Sequence, residues 1–227
     1  MSEHWGYDVN NGPARWGDLT PEYALCKLGQ RQSPIDLTGA KPVNGDPLRL
    51  RYRSHPLRIV NNGHSVQVNC LGSGTLEMGG KVYALQQYHF HRPSEHTIDG
   101  RYCAMEMHLV HSNDDGELAV VGVMIEPGEA NDDYAPVWDH LPATSGPEMV
   151  LPNVVVDPQA LLPRSRHAYR YTGSLTTPPC SEDVAWAVFA EPVTLSPEQI
   201  AGFEAIYMGN YRPVQPLNGR ALHIDTD

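Results

Sequence analysis

The chain has 227 residues, enough for one large domain or two small ones. Its 27 acidic and 16 basic residues give a formal net charge of −11. This charge argues against nucleic acid or an anionic membrane as a partner, because both require clustered lysine and arginine. No apolar run approaches the roughly 18 residues that a membrane helix needs. Because no linker is evident and all-β domains of this length are common, residues 1–227 are predicted to form a single domain.

The predicted elements are mostly short strands with a few short helices. Thr20-Pro21-Glu22 opens the first helix and Gly29 lies just past its end. Alternating apolar runs then predict strands, with turns at 61–63 and 114–116. A weaker helix is predicted over 131–141. The strand runs are 57–60, 64–70, 81–90, 104–111, 118–125 and 184–189.

The last helix begins at Ser196, which is followed by a proline at the first helical position and by Gln199 three residues after the cap. Strands joined mainly by short turns predict a mainly β fold, with a largely antiparallel sheet and a few peripheral helices.

Histidines on two predicted strands form the most informative pattern in the chain. Side chains two residues apart share a face of a strand, so His89 and His91 project together. The same alternation puts Glu106, His108 and Val110 on one face of a second strand. If the two strands are neighbours, His89, His91 and His108 can converge on one metal ion.

Three neutral imidazoles and one open position describe a catalytic zinc site rather than a closed structural one. Gln87 and Glu106 each lie two residues from a ligand histidine and could accept its second ring N–H. A single His-x-His pair on a strand is weak evidence, however, and His108 taken alone is more typical of a hydrogen-bonded core histidine than of a metal ligand. Further histidines, which show that the residue type is not rare here, are His4, His96, His111 and His167.

Several motifs in one order resemble the α-class carbonic anhydrases of bacteria. The resemblance covers nearly the whole chain, and several motifs in register are far more specific than any one of them. The motifs are residues 4–7 (HWGY), 32–35 (QSPI), 61–64 (NNGH), 89–96 (HFHRPSEH), 106–111 (EMHLVH), 174–180 (SLTTPPC) and 210–217 (NYRPVQPL).

The resemblance implies a single domain around a twisted, mostly antiparallel sheet, with zinc at the foot of a conical cavity. It assigns Zn²⁺ to His89, His91 and His108, with Gln87 and Glu106 as their hydrogen-bond partners. Four matching positions are implied to act in catalysis. Thr176 accepts the proton of zinc hydroxide, Glu95 orients Thr176, His64 shuttles protons, and Tyr7 belongs to the polar wall that carries ordered water, together with Asn62 and Gln67.

An apolar seat for carbon dioxide is also implied beside the metal. Strand alternation places Leu118 with Val120, and Val184 with Trp186, on shared faces. Without the metal motif, these residues would read as ordinary core. The substrate-binding set that the resemblance implies is Val110, Leu118, Val120, Leu175, Thr177, Val184 and Trp186.

The implied activity is reversible hydration of carbon dioxide to bicarbonate and a proton, by attack of zinc-bound hydroxide followed by histidine-mediated proton transfer. A weak esterase side activity, inhibition by sulfonamides and anions, and a homodimer are expected by family analogy. The rival interpretations are a catalytically silent binding protein of the same fold and a dedicated metal-dependent esterase. Silent members typically lack a ligand histidine, whereas all three are present here.

Four cysteines allow three full pairings, and the sequence alone does not choose among them. None forms a Cys-x-x-Cys pair, so a thiolate zinc site is not indicated. The resemblance implies a Cys26–Cys180 disulfide, and hence an oxidising compartment. The sequence begins without a basic, apolar secretory signal. We nevertheless expect the periplasm or the exterior, with the signal absent from this sequence, and cytosol is the less favoured alternative. Cys70 and Cys103 are expected to be free thiols, or one of them to join subunits.

Overall fold

A computed structural model describes residues 4–45 and 48–225. The first three residues, on which the interpretation of the N-terminus partly depends, lie outside the described residues. Among the described residues, no helix is both long and apolar enough to span a bilayer. The fold is mainly β, as predicted.

Fifteen strands are described, and thirteen of them belong to one sheet. The strands are β1 Lys41–Val43, β2 Arg49–Tyr52, β3 His55–Asn61, β4 Val66–Asn69, β5 Gly74–Met78, β6 Lys81–His91, β7 Thr97–Ile98, β8 Arg101–Tyr102, β9 Met105–Ser112, β10 Leu118–Pro127, β11 Met149–Val156, β12 Ala168–Ser174, β13 Glu182–Phe189, β14 Val193–Leu195 and β15 His223–Asp225.

The main path through the sheet is β1-β15-β12-β13-β10-β9-β6-β4-β3-β11. Most of the neighbouring pairs along this path are antiparallel, as predicted. Three described pairs are parallel, namely β1 with β15, β10 with β13 and β10 with β14. The two strands outside this sheet, β7 and β8, pair with each other as a small antiparallel hairpin.

The helices are short and peripheral. They are α1 Trp16–Leu19, α2 Leu25–Leu28, α3 Ala135–Trp138 and α4 Pro197–Glu204, with 3₁₀ turns at Pro21–Tyr23 and Asp132–Tyr134. The predicted helix from Thr20 is therefore split into a 3₁₀ turn and α2, and the one over 131–141 is split in the same way. The cap of α4 is confirmed, because the Ser196 hydroxyl accepts from the Gln199 N–H while the Gln199 side chain accepts from the Ser196 N–H.

Strand alternation sorts the core of the sheet onto two faces. Tyr88 and Phe90 are fully buried in the larger apolar cluster, together with Met107 and Leu109 from β9. The intervening residues of β6 and β9 therefore face the other way. Burying a side chain the size of Phe90 contributes about 2 to 3 kcal/mol. The same packing that stabilises the sheet thus sends the histidines to the opposite face.

Candidate metal centre

The register of the central strands brings the three predicted histidines together. In the β6–β9 ladder, His89 lies opposite His108, and His91 lies opposite Glu106. One ring nitrogen from each of His89, His91 and His108 lies within 4.8 Å of the other two. His91 and His108 are each only 1% exposed, so the cluster is closed to bulk water on most sides.

Each ring uses its other nitrogen to donate a hydrogen bond to a fixed acceptor. His89 Nδ1 donates to Gln87 Oε1 at 2.8 Å, and His108 Nε2 donates to Glu106 Oε1 at 2.8 Å. His91 Nδ1 donates to the Asn210 carbonyl at 2.7 Å. These bonds fix the tautomers, so that His89 Nε2, His91 Nε2 and His108 Nδ1 carry lone pairs.

Burial keeps the three rings neutral. It holds the pKa of His89 well below its usual value, lowers that of His108, and lowers that of His91 to about 4. A neutral imidazole is the form that binds a metal. His91 Nε2 is buried without any hydrogen-bond partner in the structure. An orphaned buried acceptor is costly, so this atom is suited to a ligand rather than to packing.

The Glu106 carboxylate holds His108 in place through a network of four hydrogen bonds. Its Oε2 accepts from the backbone N–H groups of Glu95 and His96 at 2.8 and 2.9 Å, and its Oε1 accepts from His96 Nδ1 at 2.7 Å as well as from His108. Burial alone would raise the pKa of Glu106, but His96 and His108 hold it well below its usual value. Gly122 is required here, because a Cβ at that position would lie 2.9 Å from Glu106 Oε1.

A second group, His96 with Glu106 and His108, also has ligand atoms within 4.8 Å of one another. Its atoms are already paired, because the Glu106 carboxylate accepts from both rings and His96 Nε2 lies 2.7 Å from the Tyr171 hydroxyl. Hydrogen bonding thus accounts for this second group, which leaves the first group as the candidate metal site.

Glu95 lies beside the histidine cluster, and the predicted Thr176 is close enough to lower its pKa. Its Oε1 accepts from the Arg212 N–H at 2.7 Å, and its Oε2 is 3.5 Å from His91 Nε2. Burial raises the pKa of Glu95 to about 7, against the lowering effects of His108, of a hydrogen bond from Thr176 and of the Arg212 N–H. A cation held by the histidines would lower this pKa and favour the carboxylate.

A cavity of about 120 Å³ opens onto His89 and His91. Its other lining residues include the predicted Tyr7, Asn62, His64, Gln67 and Thr177, together with Trp5, Ser65 and Gln87. Asn62 Nδ2 donates to Gln67 Oε1 at 3.3 Å, so these two amides form one hydrogen-bonded side of the cavity. The Tyr7 hydroxyl is buried and has no partner in the structure. The structure thus gathers the predicted polar residues around one opening.

His64 is stacked on Trp5, with ring centroids 3.6 Å apart and planes 7° from parallel. Partial burial, and then the nearby His4, lower the pKa of His64 from its usual value. Its backbone N–H donates to the Asn62 side chain at 2.9 Å, which holds the turn at the edge of the cavity.

The predicted apolar seat forms one cluster next to His108. Val120 lies opposite Val110 on β9 and opposite Trp186 on β13, and the Trp186 ring lies 4.9 Å from that of His108. Thr177 is not part of this cluster and lines the polar cavity instead. The predicted members found in the cluster are Val110, Leu118, Val120, Leu175, Val184 and Trp186.

The expected disulfide joins Cys26 to Cys180. Cys180 closes the loop that carries Thr176, since its N–H donates to the Thr177 carbonyl at 2.9 Å. Cys70 and Cys103 are free and buried. Both are therefore free thiols in this chain, as one of the two alternatives expected, and a role for either in joining subunits stays a prediction.

Sequence reasoning missed several residues that hold the site. In the sequence, His96 is one of several additional histidines, yet in the structure it links Glu106 to Tyr171, whose hydroxyl lies 2.8 Å from that of Ser33. Asn210 and Arg212 were noted only as part of a motif. The positions of Glu95 and His96 directly after the His-x-His strand were a usable signal, whereas a backbone carbonyl such as that of Asn210 leaves none.

The comparisons with known proteins agree with one another. The family model described as eukaryotic-type carbonic anhydrase matches residues 11–225. A carbonic anhydrase of Pectobacterium carotovorum is 46% identical over 223 residues, which is 97% of this chain and 91% of that protein. The α-carbonic anhydrase of Thermovibrio ammonificans, solved with the inhibitor sulfanilamide, is 44% identical and superposes with a TM-score of 0.93, covering 98% of this chain and 99% of that one.

The same fold also occurs in a protein of another name. Dioscorin, solved in complex with ascorbate, is 33% identical and superposes with a TM-score of 0.90 over 98% of both chains. The fold by itself therefore does not decide the chemistry, and the residues of the site must carry the argument.

Proposed function

The chain belongs to the eukaryotic-type carbonic anhydrase family, and from this premise we propose that it hydrates carbon dioxide reversibly at a zinc ion held by His89, His91 and His108. One observation carries the proposal. Three imidazoles converge, of which His91 and His108 are buried and His89 is half-buried, and each is oriented by a hydrogen bond from its other nitrogen. We also propose that residues 1–227 act as a single domain.

Zinc fits the donor set. Three neutral nitrogens are typical of catalytic zinc, and the unpartnered His91 Nε2 is a ligand atom without a competing bond. When bound, zinc lowers the pKa of a coordinated water to about 7, the value established for this enzyme class, and so supplies a nucleophile at neutral pH. Cobalt would suit the same nitrogens. The choice of zinc therefore rests on the ligand type and on the family together.

Thr176 and Glu95 orient the nucleophile. If Thr176 donates its one hydroxyl hydrogen to Glu95, its oxygen can act only as an acceptor toward the reacting group. An attacking group that carries a hydrogen is then held with a lone pair toward carbon dioxide, which is an orientation effect. Anions that have no hydrogen to donate are disfavoured next to the Thr176 oxygen, because it can only accept.

The apolar cluster gives carbon dioxide a place next to the metal ligands. The molecule has no net charge and no hydrogen to donate, so it gains little from polar walls. Trp186 borders His108, and Val120 lies opposite Trp186 in the neighbouring strand, so the two would hold the substrate within reach of the nucleophile. Product bicarbonate is charged, so the same apolar surface favours its release.

Hydration releases a proton, and His64 is the group we propose to accept it at a ring nitrogen. Its Nδ1 is buried without a partner at the cavity edge. Histidine is the side chain whose charge changes close to neutral pH, so it can accept a proton and return it to buffer. Partial burial and His4 lower the pKa of His64, which favours the return of the proton. Tyr7, Asn62 and Gln67 would support the water that links His64 to the metal.

The Cys26–Cys180 disulfide is compatible with an oxidising compartment, and we propose the periplasm or the exterior. Cell fractionation followed by mass mapping without reductant tests this proposal. Recovery of the chain in the reduced cytosolic fraction would contradict it.

The direct test of function is stopped-flow carbon dioxide hydration with and without removal of metal by a chelator. We expect fast hydration that is lost on chelation, restored by zinc and inhibited by sulfanilamide, with only slow hydrolysis of an activated ester. His108→Ala should abolish hydration, whereas His140→Ala, outside the site, should not. Zinc binding without hydration would favour a silent binding protein, and ester hydrolysis faster than hydration would favour an esterase.

A further inference from the structure

A fully buried arginine connects the candidate site to the disulfide. Its backbone bonds to Glu95, and its guanidinium bonds to the segment that begins at Cys26. The Arg212 side chain is 1% exposed. Its backbone N–H donates to Glu95 Oε1 at 2.7 Å, on the side of the metal ligands. Its guanidinium donates to the segment 26–33, which begins at the disulfide cysteine Cys26.

The guanidinium makes three hydrogen bonds in that segment. Its Nη2 donates to the Cys26 carbonyl at 2.7 Å, and its Nη1 donates to the Ser33 carbonyl at 2.7 Å and to Gln32 Oε1 at 2.8 Å. The Gln32 amide in turn donates to the Cys180 carbonyl at 3.0 Å. Arg212 is therefore connected to both halves of the disulfide, directly to one cysteine and through Gln32 to the other.

The chain around Arg212 contacts the site at two atoms. Two residues earlier, the Asn210 carbonyl accepts from His91 Nδ1 at 2.7 Å. Residues 208–217 lie outside the helices and regular strands, so no backbone ladder holds this stretch in place. Asn210 fastens one end of 210–212 to β6, because its side chain donates to the Phe90 carbonyl at 2.9 Å and accepts from the Arg92 N–H at 2.8 Å. Arg212 fastens the other end.

We propose that Arg212 is a positioning residue for the metal centre, and that its guanidinium holds the 210–212 backbone so that His91 and Glu95 keep their orientations. The inference rests on the proposed function. A buried guanidinium is costly unless its donors are satisfied, so its three acceptors define one position for it. Only a planar fork reaches acceptors spread over three residues at once, and the point charge of a lysine does not.

The test compares Arg212→Lys and Arg212→Met with the wild type and with a matched control. The control is Arg220→Met, which also removes a guanidinium next to Gln32. Arg220 Nη2 donates to the backbone carbonyl of Gln32 at 2.8 Å. Its remaining backbone acceptors are at Thr172, Pro216 and Leu217, outside the 210–212 stretch. Zinc affinity is measured by competition with a chelator, at temperatures well below the unfolding midpoint of each variant. The absorption spectrum of the cobalt-substituted protein and the kcat and KM for carbon dioxide are recorded in parallel.

For Arg212→Met we expect zinc to bind about 10- to 100-fold more weakly, as for other lost partners of metal ligands. We also expect an altered cobalt spectrum and a fall in kcat larger than any change in KM. Arg212→Lys should lie between the wild type and Arg212→Met, while Arg220→Met should keep wild-type zinc affinity and spectrum whatever it does to thermal stability.

If Arg212→Met does not fold, two milder variants replace it, Arg212→Lys and Gln32→Leu. Gln32→Leu removes one acceptor of the guanidinium and leaves the arginine in place. Both should show smaller changes in zinc affinity and in the cobalt spectrum, in the same direction. A zinc affinity within twofold of the wild type, together with an unchanged cobalt spectrum, in any folded Arg212 variant would overturn the proposal. A wild type that binds no zinc would instead overturn the proposed function.

Discussion

The substitution Glu106→Gln exchanges one acceptor oxygen for an NH₂ group on a side chain that accepts four hydrogen bonds. In the wild type, Oε2 accepts from two backbone N–H groups, and Oε1 accepts from His96 Nδ1 and His108 Nε2. Whichever way the amide is turned, two existing donors face a new donor. If the NH₂ faces His108, the ring can pair only by moving its hydrogen to Nδ1, the atom meant for the metal.

The magnitude follows from the count of unpaired donors. A buried donor left without an acceptor costs about 1 to 3 kcal/mol, so two such donors should lower the free energy of unfolding of the metal-free protein by about 2 to 6 kcal/mol. Loss of the oriented tautomer should weaken zinc binding by about 10- to 100-fold. The cost is high because Glu106 is fully buried and no water can take the place of the lost acceptor.

Two assays check these values, namely urea unfolding of the metal-free protein and zinc competition with a chelator. Glu117→Gln is the matched control, since Glu117 is also hydrogen-bonded, to Lys81 and Asn113, but its side chain is 41% exposed and within reach of water. The control should resemble the wild type in both assays. If Glu106→Gln unfolds and binds zinc as the wild type does, the network does not hold His108, and the account of the site is wrong.

Four further predictions follow from other parts of the structure. Thr176→Ala should lower kcat/KM for carbon dioxide by about 10²-fold through loss of orientation, measured by stopped flow. His64→Ala should cap turnover near 10⁴ s⁻¹ in dilute buffer, because direct proton transfer from a group of pKa about 7 to water is uphill by about 12 kcal/mol, and imidazole should restore the rate. Burial lowers the pKa of His111 to about 4, so the unfolded chain binds its proton first as the pH falls below about 6.5. Relative to His111→Gln, the wild type should therefore lose about 2 kcal/mol of unfolding free energy between pH 7 and pH 4.5. Replacing Cys26 and Cys180 by serine removes a crosslink between residues 154 apart, and should cost about 2 to 5 kcal/mol in urea unfolding.

Each of these predictions has its own control and its own failing result. Thr176→Ser keeps the hydroxyl and should keep most of the activity, so an equal loss in both variants would argue for packing rather than orientation. No loss of rate in dilute buffer would remove His64 from the proton path. A constant difference between wild type and His111→Gln across the pH range would show that His111 titrates normally. Cys103→Ala should leave catalysis unchanged.

The strand periodicity was sufficient to predict the face on which the site lies. The alternation of Tyr88, His89, Phe90 and His91 separates core from ligands because side chains on a strand alternate between faces. The register of β6 against β9 was not predictable, because it depends on a bulge between Leu85 and Gln87 that no local signal marks. The convergence of His89 with His108 was therefore expected from the resemblance rather than worked out from spacing.

The helices were predicted at their beginnings and not over their lengths. The capping box at Ser196 is a local interaction, and it is present as expected. The predicted helix from Thr20 is divided into a 3₁₀ turn and a single α-helical turn, and α1 before it has no counterpart among the predicted helices. Helices this short depend on the packing around them more than on propensity, so the sequence alone does not give their ends.

The supports of the site were the least predictable part. Gln87 and Glu106 lie two residues from their histidines, so strand alternation shows them. His91 instead donates to a backbone carbonyl more than a hundred residues later in the chain, at Asn210. A carbonyl belongs to every residue type, so no composition or spacing identifies it, and tertiary structure is needed.

The most direct test of the central claim is the zinc position in crystals of the zinc-loaded protein, located by anomalous diffraction at the zinc edge. The account predicts one ion bound by His89 Nε2, His91 Nε2 and His108 Nδ1, with no protein atom as the fourth ligand. Zinc held by His96 and Glu106 instead, or a fourth position filled by the Glu95 carboxylate, whose Oε2 lies 3.5 Å from His91 Nε2, would contradict it.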